Sequence, residues 1–260
     1  MDYQLSYACT SHIGKRRKMN QDNFLCGGVY ASQGQTEPLA LPLTGTVGAA
    51  PRQLFGVFDG MGGEERGEAA AFLAAEAAAC SPLAGDPVEV LETVCQNANQ
   101  RICAFVAENG LGICGTTAAL LLTDADRLTI CNIGDSKIFH LTDRQLTQIS
   151  EDHLSLAPAG VKPPLSQCLG IPPEELTLCP HYDSLPCCAG DKYLLCSDGL
   201  TDMVPPEAIR DTLAAHAPAD AAGLLLQQAL DNGGRDNITL LILQVESRKT
   251  GFWQRLRKLL

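Results

Sequence analysis

Three short apolar runs in this 260-residue chain each meet a carboxylate at one end, and that repetition limits the possible folds more than any other feature. Residues 54–58 lead into Asp59-Gly60, residues 192–197 lead into Asp198-Gly199, and Asp236-Asn237 opens the run 238–243. Apolar runs of four to eight residues bounded by glycine predict buried strands. A carboxylate at a buried strand end is costly unless something neutralises it, so three of them predict a bound cation. Hard oxygen donors of this kind favour Mg²⁺ or Mn²⁺.

The length and the 45% hydrophobic content suit one large domain with a well-formed core. A formal net charge of −11 argues against a nucleic-acid partner, since phosphate neutralisation needs basic surface. The N-terminus lacks the basic and apolar segments of a leader, and no run reaches the ~18 apolar residues of a membrane span, so a cytoplasmic monomer is expected. The 12 cysteines are scattered through apolar stretches and read as reduced thiols. Cys95 and Arg101 have the Cys-x5-Arg spacing of a cysteine phosphatase, but residues 88–107 carry helical periodicity and no glycine to cradle a phosphate. The group Cys168, Cys179, Cys187 and Cys188 lacks the usual zinc-ligand spacing.

In chain order, strands are expected at residues 3–9 and 24–29, joined by a polar loop containing Lys15, Arg16, Arg17 and Lys18. In that loop Arg17 can grip a phosphate as a fork while Gln21 or Asp22 faces a metal. Residues 32–52 read as one long loop. Helices are expected at 65–80 and 87–109 on one sheet face. Strands follow at 115–122, 127–133, 137–141 and 146–149, their short turns implying antiparallel pairing. A further acid, Asp135, sits in the turn after residue 133. Strands at 177–182, 192–197 and 238–245 and helices at 206–216 and 219–231 complete an α+β chain with sheet packed on sheet and helices outside.

With Arg17, Asp22, Asp59-Gly60, Gly115-Thr116-Thr117-Ala118, Gly134-Asp135-Ser136, Asp198-Gly199 and Asp236-Asn237 in this order, the chain resembles the PPM family of metal-dependent serine/threonine protein phosphatases, type 2C. The resemblance spans roughly residues 3 to 246. It implies a central antiparallel β-sandwich flanked by pairs of helices in four layers, α-β-β-α, with two Mn²⁺ or Mg²⁺ ions at one end. It makes Asp59 the bridging carboxylate, Asp198 and Asp236 ligands of the first ion, and the Gly60 carbonyl a ligand of the second. Asp22 orients metal waters, Arg17 holds the substrate phosphate, and Asp135 and Asp202 can hold a third ion with Asp198. The implied activity is hydrolysis of phosphoserine and phosphothreonine in proteins by a metal-activated water, opposing a cognate serine/threonine kinase. The alternatives are a non-catalytic regulatory module and a phosphatase of small metabolites.

The chain departs from the family pattern at three places. Gln21 stands where many members have Glu, which predicts a weaker second ion. Met61 stands where some relatives carry a His proposed as general acid. After Asp152-His153, only residues 154–164 remain of the segment that forms a flap in the family. Beyond the phosphatase-like part, 1–246, the tail 247–260 carries five basic residues, no acid and an apolar face. That pattern suits a short helix on an anionic lipid or protein surface, or one folded back on the acidic body.

Overall fold

The computed structural model describes residues 3–33, 42–48, 50–61, 66–112, 114–124, 126–158 and 160–247. Two antiparallel sheets stack face to face. The first holds, in spatial order, β3 (Leu43–Gly48), β1 (Tyr3–His12), β12 (Ile238–Ser247), β11 (Lys192–Cys196), β8 (Lys137–Thr142) and β9 (Gln145–Gln148). The second holds β10 (His181–Pro186), β7 (Arg127–Ile133), β6 (Ala118–Asp124), β4 (Leu54–Met61) and β2 (Asp22–Leu25), with the two-residue β5 (Gly115–Thr116) paired to the end of β4.

The two-residue period of a strand explains how continuous apolar runs fill three layers of core. Along β12, Leu241, Leu243 and Val245 point between the sheets, while Ile238, Leu240 and Ile242 point outward under helices. Along β4, Phe55 and Val57 face the other sheet, whereas Leu54 and Phe58 face α1 (Gly67–Cys80) and α2 (Pro87–Asn109). The opposite outer face is covered by α4 (Pro206–Ala215) and α5 (Pro218–Asp231). The order of layers is therefore α-β-β-α, as the sequence led us to expect.

Helix boundaries follow local chemistry. The Asp86 side chain caps α2 by accepting from the N–H groups of Val88 and Glu89, and Pro87 occupies its first turn. Six alanines of α1 (Ala70, Ala71, Ala74, Ala75, Ala77 and Ala78) are buried in the core cluster shared with β4, and their small side chains permit close packing. Cys95 and Arg101 both lie in α2, where Cys95 is buried and Arg101 pairs with Glu76 at 2.6 Å, so their spacing forms no phosphate loop. All 12 cysteines are free thiols.

Several expectations need correction. Residues 32–52 are not one loop: β3 pairs with β1 from Gln4↔Gly48 to Cys9↔Leu43, and as a largely unburied edge strand it lacks an apolar run. The strand expected at 177–182 begins at His181, because Pro180 offers no N–H to a ladder. The second strand stops at Leu25, and the chain reverses between Cys26 and Val29, whose backbones exchange hydrogen bonds of 2.9 and 3.0 Å. Residues 115–122 break at Thr117, which turns its N–H to the Asp59 carbonyl at 2.9 Å. The tail 248–260 lies outside the described residues.

Candidate metal and phosphate site

Antiparallel pairing gathers the acids at one end of the sandwich. The pairing Cys196↔Leu240 sets the end of β11 beside the start of β12, so Asp198 and Asp236 become neighbours. In the other sheet β4 continues through Asp59, and the register of β2 sets Asp22 directly opposite it. Ser197 ties the two sheets together by donating to Asp22 Oδ2 at 2.8 Å. Asp198 then opens a one-turn helix, α3 (Asp198–Thr201). A cleft of about 360 Å³ results, lined by Arg17, Asp59, Asp135, Lys162, Asp198 and Asp236, with Gln21, Gly60 and Met61 on its wall.

Two glycines are required by close approach. A Cβ on Gly60 would sit 2.3 Å from the Gly67 carbonyl oxygen and 2.4 Å from that of Gln21, and one on Gly199 would sit 1.9 Å from the Asn237 carbonyl oxygen. Backbone therefore packs on backbone directly behind the acids.

The electrostatics are those of crowded carboxylates. Burial first, then repulsion from Asp22, Asp198, Asp135 and Asp236, raises the Asp59 carboxyl well above its ordinary range. Asp22 is pushed up to about 7, mainly by burial and further by Asp198 and Asp236, although hydrogen bonds from Ser197 and Thr239 oppose the rise. Asp135 also rises through burial and Asp198, with Lys162 and Lys137 opposing. Two cations of the chain engage the cluster. Arg17 donates to Asp236 at 2.6 Å, and the Lys162 ammonium contacts Asp198 and lies 3.5 Å from Asp202. Burial works against the Lys162 charge, but Asp198, Asp202 and Asp135 outweigh it and raise its pKa.

Among the described residues no three His, Cys, Asp or Glu side chains close into a metal cage. The donor set nonetheless fits a hard divalent ion: every carboxylate on the wall offers oxygen, and the buried Asp22 Oδ1 has no hydrogen-bond partner. The residues that would hold such ions are Asp59, Asp198 and Asp236, with the Gly60 carbonyl beside them.

The residues singled out in the sequence do not all stand on the cleft wall. Arg17, Gln21, Asp59, Gly60, Asp135, Asp198 and Asp236 do. Asp22 is buried behind Asp59, and Asp202 stands outside the wall with its side chain 53% exposed and 3.5 Å from Lys162. Three contributors were given no role from the sequence, although Thr117 and Asn237 stand within its motifs. Lys162 comes from the short 154–164 segment, which is pinned by the bridge Leu154↔Leu165 and whose only sequence signal was a basic residue before Pro163-Pro164. Thr117 accepts from the Asp59 N–H at 3.0 Å and shares a 2.6 Å hydrogen bond with Ser136, fixing the backbone under Asp59. Asn237 clamps the Arg17 loop by donating to the carbonyls of Ile13 and Met19, both at 2.9 Å, and by accepting from the Gln21 N–H. Its place beside Asp236 was visible, but not its partners more than 200 residues away.

Comparison with known proteins agrees with this geometry. The chain is 34% identical over 256 residues to the serine/threonine protein phosphatase PstP of Mycobacterium tuberculosis, an alignment covering 93% of this chain and 45% of that protein. It thus spans under half the length of that relative. Identity to the serine/threonine phosphatase Stp of Listeria welshimeri is 28%, covering 89% of this chain and 92% of the relative. The crystal structure of the PstP catalytic domain in complex with 2 manganese ions superposes with a TM-score of 0.75 at 30% identity, covering 94% of this chain and 99% of that one. The family profile described as protein phosphatase 2C matches residues 44–231, and the chain belongs to the protein phosphatase 2C family.

Proposed function

We propose that this chain hydrolyses phosphoserine and phosphothreonine in proteins with the help of two divalent ions, Mn²⁺ or Mg²⁺. The observation that carries the reading is the meeting of a guanidinium, Arg17, with Asp59, Asp198 and Asp236 in one cleft. When bound, the ions supply activation of a water and neutralisation of phosphate charge. Asp59, Asp198 and Asp236 hold the ions, with Asp22 behind them orienting solvent. The neutral Gln21 leaves the second position weaker than a carboxylate would. Arg17 forks onto the phosphate oxygens and stabilises the charge spread over them in the transition state. Lys162 brings a positive charge to the Asp198 side of the cleft. Met61 cannot donate a proton, so the leaving oxygen would take its proton from an ion-bound water or from solvent. A third ion between Asp135, Asp198 and Asp202 would have to displace Lys162.

The substrates would be phosphoproteins of a serine/threonine kinase system in the cytoplasm, with the chain acting as a monomer. No helix among the described residues is long and apolar enough to cross a membrane. We take residues 1–246 as the phosphatase unit and 247–260 as a separate tail with a surface or partner role. The deciding experiment compares turnover of a phosphothreonine peptide and an aryl phosphate with and without Mn²⁺. Metal-dependent release of phosphate from the peptide is expected. Absence of turnover on both substrates would leave a non-catalytic module, and turnover of the small substrate alone would indicate a metabolite phosphatase.

A further inference from the structure

Beside the acid-lined cleft lies a second one of about 490 Å³ with the opposite charge. Arg16, Arg17, Lys18 and Arg66 line it, with Glu68 as its sole acid among the described residues. Glu68 is occupied by Arg66 at 3.0 Å, and Arg17 reaches across to Asp236. Arg16 and Lys18 are exposed, and among the described residues neither has an ion-pair partner. In a chain of net charge −11 this basic concentration runs against the overall balance.

The basic loop is held in place rather than trailing into solvent. Asn237 grips the carbonyls of Ile13 and Met19 on either side of it, and the Lys15 N–H donates to the Gly234 carbonyl at 2.7 Å. Arg66 is positioned from the other side with its guanidinium 5.6 Å from the centre of the Phe105 ring. The cations are therefore presented from a fixed frame, which lowers the entropic cost of engaging an anion. The two clefts share Arg17 and Gln21 as a common wall. A peptide that places its phosphoresidue at Arg17 can send its neighbouring residues past Arg16, Lys18 and Arg66.

We propose that this cleft is a docking site for substrate peptides with acidic residues, or a second phosphate, close to the phosphoresidue. The proposal rests on the phosphatase reading and adds a substrate class to it. Extended chain advances about 3.3–3.6 Å per residue, so a side chain within about three residues of the phosphate can reach the cleft. Attraction of this kind is screened by salt with a Debye length of about 8–10 Å.

The test uses the full chain loaded with Mn²⁺ and two labelled peptides carrying a non-hydrolysable phosphonate in place of phosphothreonine, one flanked by Asp and Glu and one by Ser and Ala. Fluorescence anisotropy is expected to show the acidic peptide binding roughly three- to tenfold more tightly at low salt. The preference should shrink in moderate salt and be lost in the double substitution Arg16→Ala/Lys18→Ala. Equal binding of both peptides, or a preference that survives the double substitution, overturns the proposal. Aryl phosphate turnover by the parent chain is measured alongside it. A lack of turnover of both the aryl phosphate and a phosphothreonine peptide would sink the phosphatase reading while leaving the anisotropy comparison to decide the docking site on its own.

Discussion

Asp22 and Asp59 stand opposite each other across β2 and β4, two carboxylates on neighbouring strands with Ser197 hydrogen-bonded to the first. Their pKa values are raised chiefly because burial favours the neutral form, and the charge of Asp22 raises that of Asp59 further.

The sign of the resulting pH effect is fixed. A carboxyl whose folded pKa lies above its unfolded value of 3.8 contributes stability that is complete below about that pH and lost as pH rises through the folded value, about 7 for Asp22. Chelator-treated protein is therefore expected to lose melting temperature between pH 5 and pH 8. Mn²⁺ should restore more at pH 8 than at pH 5, where protons compete for the same oxygens, and ion at a hundredfold excess over its Kd adds about 2.7 kcal/mol. An equal Mn²⁺ shift at both pH values would contradict the carboxylate assignment.

Asp59→Asn and Asp198→Asn are expected to abolish metal-dependent hydrolysis while keeping the far-ultraviolet circular dichroism of the parent. Each removes charge that the ions need without removing volume from the core. Near-parental activity at limiting Mn²⁺ in either variant would show that the metal assignment is wrong.

Arg17→Ala should raise KM for a phosphopeptide by roughly tenfold or more, through loss of a charge-assisted fork. Mn²⁺ affinity, read by calorimetry, should change little or rise, because Asp236 loses its guanidinium partner. An unchanged KM would remove Arg17 from the phosphate site.

Lys162→Ala takes away the cation in contact with Asp198 and Asp135's opposing charge. The Mn²⁺ concentration for half-saturation is expected to fall severalfold, since one unit charge at close range across a partly solvated site is worth on the order of 1–4 kcal/mol. Calorimetric titration showing weaker Mn²⁺ binding would mean that Lys162 supports the ions instead of competing with them.

Asn237→Ala deletes the clamp on Ile13, Met19 and Gln21 and leaves backbone groups unpaired. A loss of about 1–3 kcal/mol in urea denaturation is expected. KM should rise with it, because the Arg17 loop loses its frame. Parental stability would show that solvent replaces these hydrogen bonds without cost.

Much of the architecture was legible because the signals are local. Apolar runs ending in Asp59 and Asp198, or beginning after Asp236, announced core strands, and helical periodicity announced α2. The edge strand β3 was hidden because an edge residue buries little and needs no apolar run. Pro180 was present to be read, and its missing N–H keeps residues 177–180 out of the ladder that begins at His181.

By itself the sequence determined which kinds of group are available, since residue type and order fix the donors: oxygen from Asp59, Asp198 and Asp236, a guanidinium from Arg17. Only the tertiary structure decided the neighbours. Strand register set Asp22 against Asp59, pairing of β11 with β12 brought Asp198 to Asp236, and Asn237 reached across the fold to the loop that carries Arg16, Arg17 and Lys18. Lys162 entered the acid cleft, and the basic cleft formed beside it, by the same means. The reason is physical: a side chain's type is encoded at one position, whereas the field it experiences is the sum over groups that folding brings from distant parts of the chain.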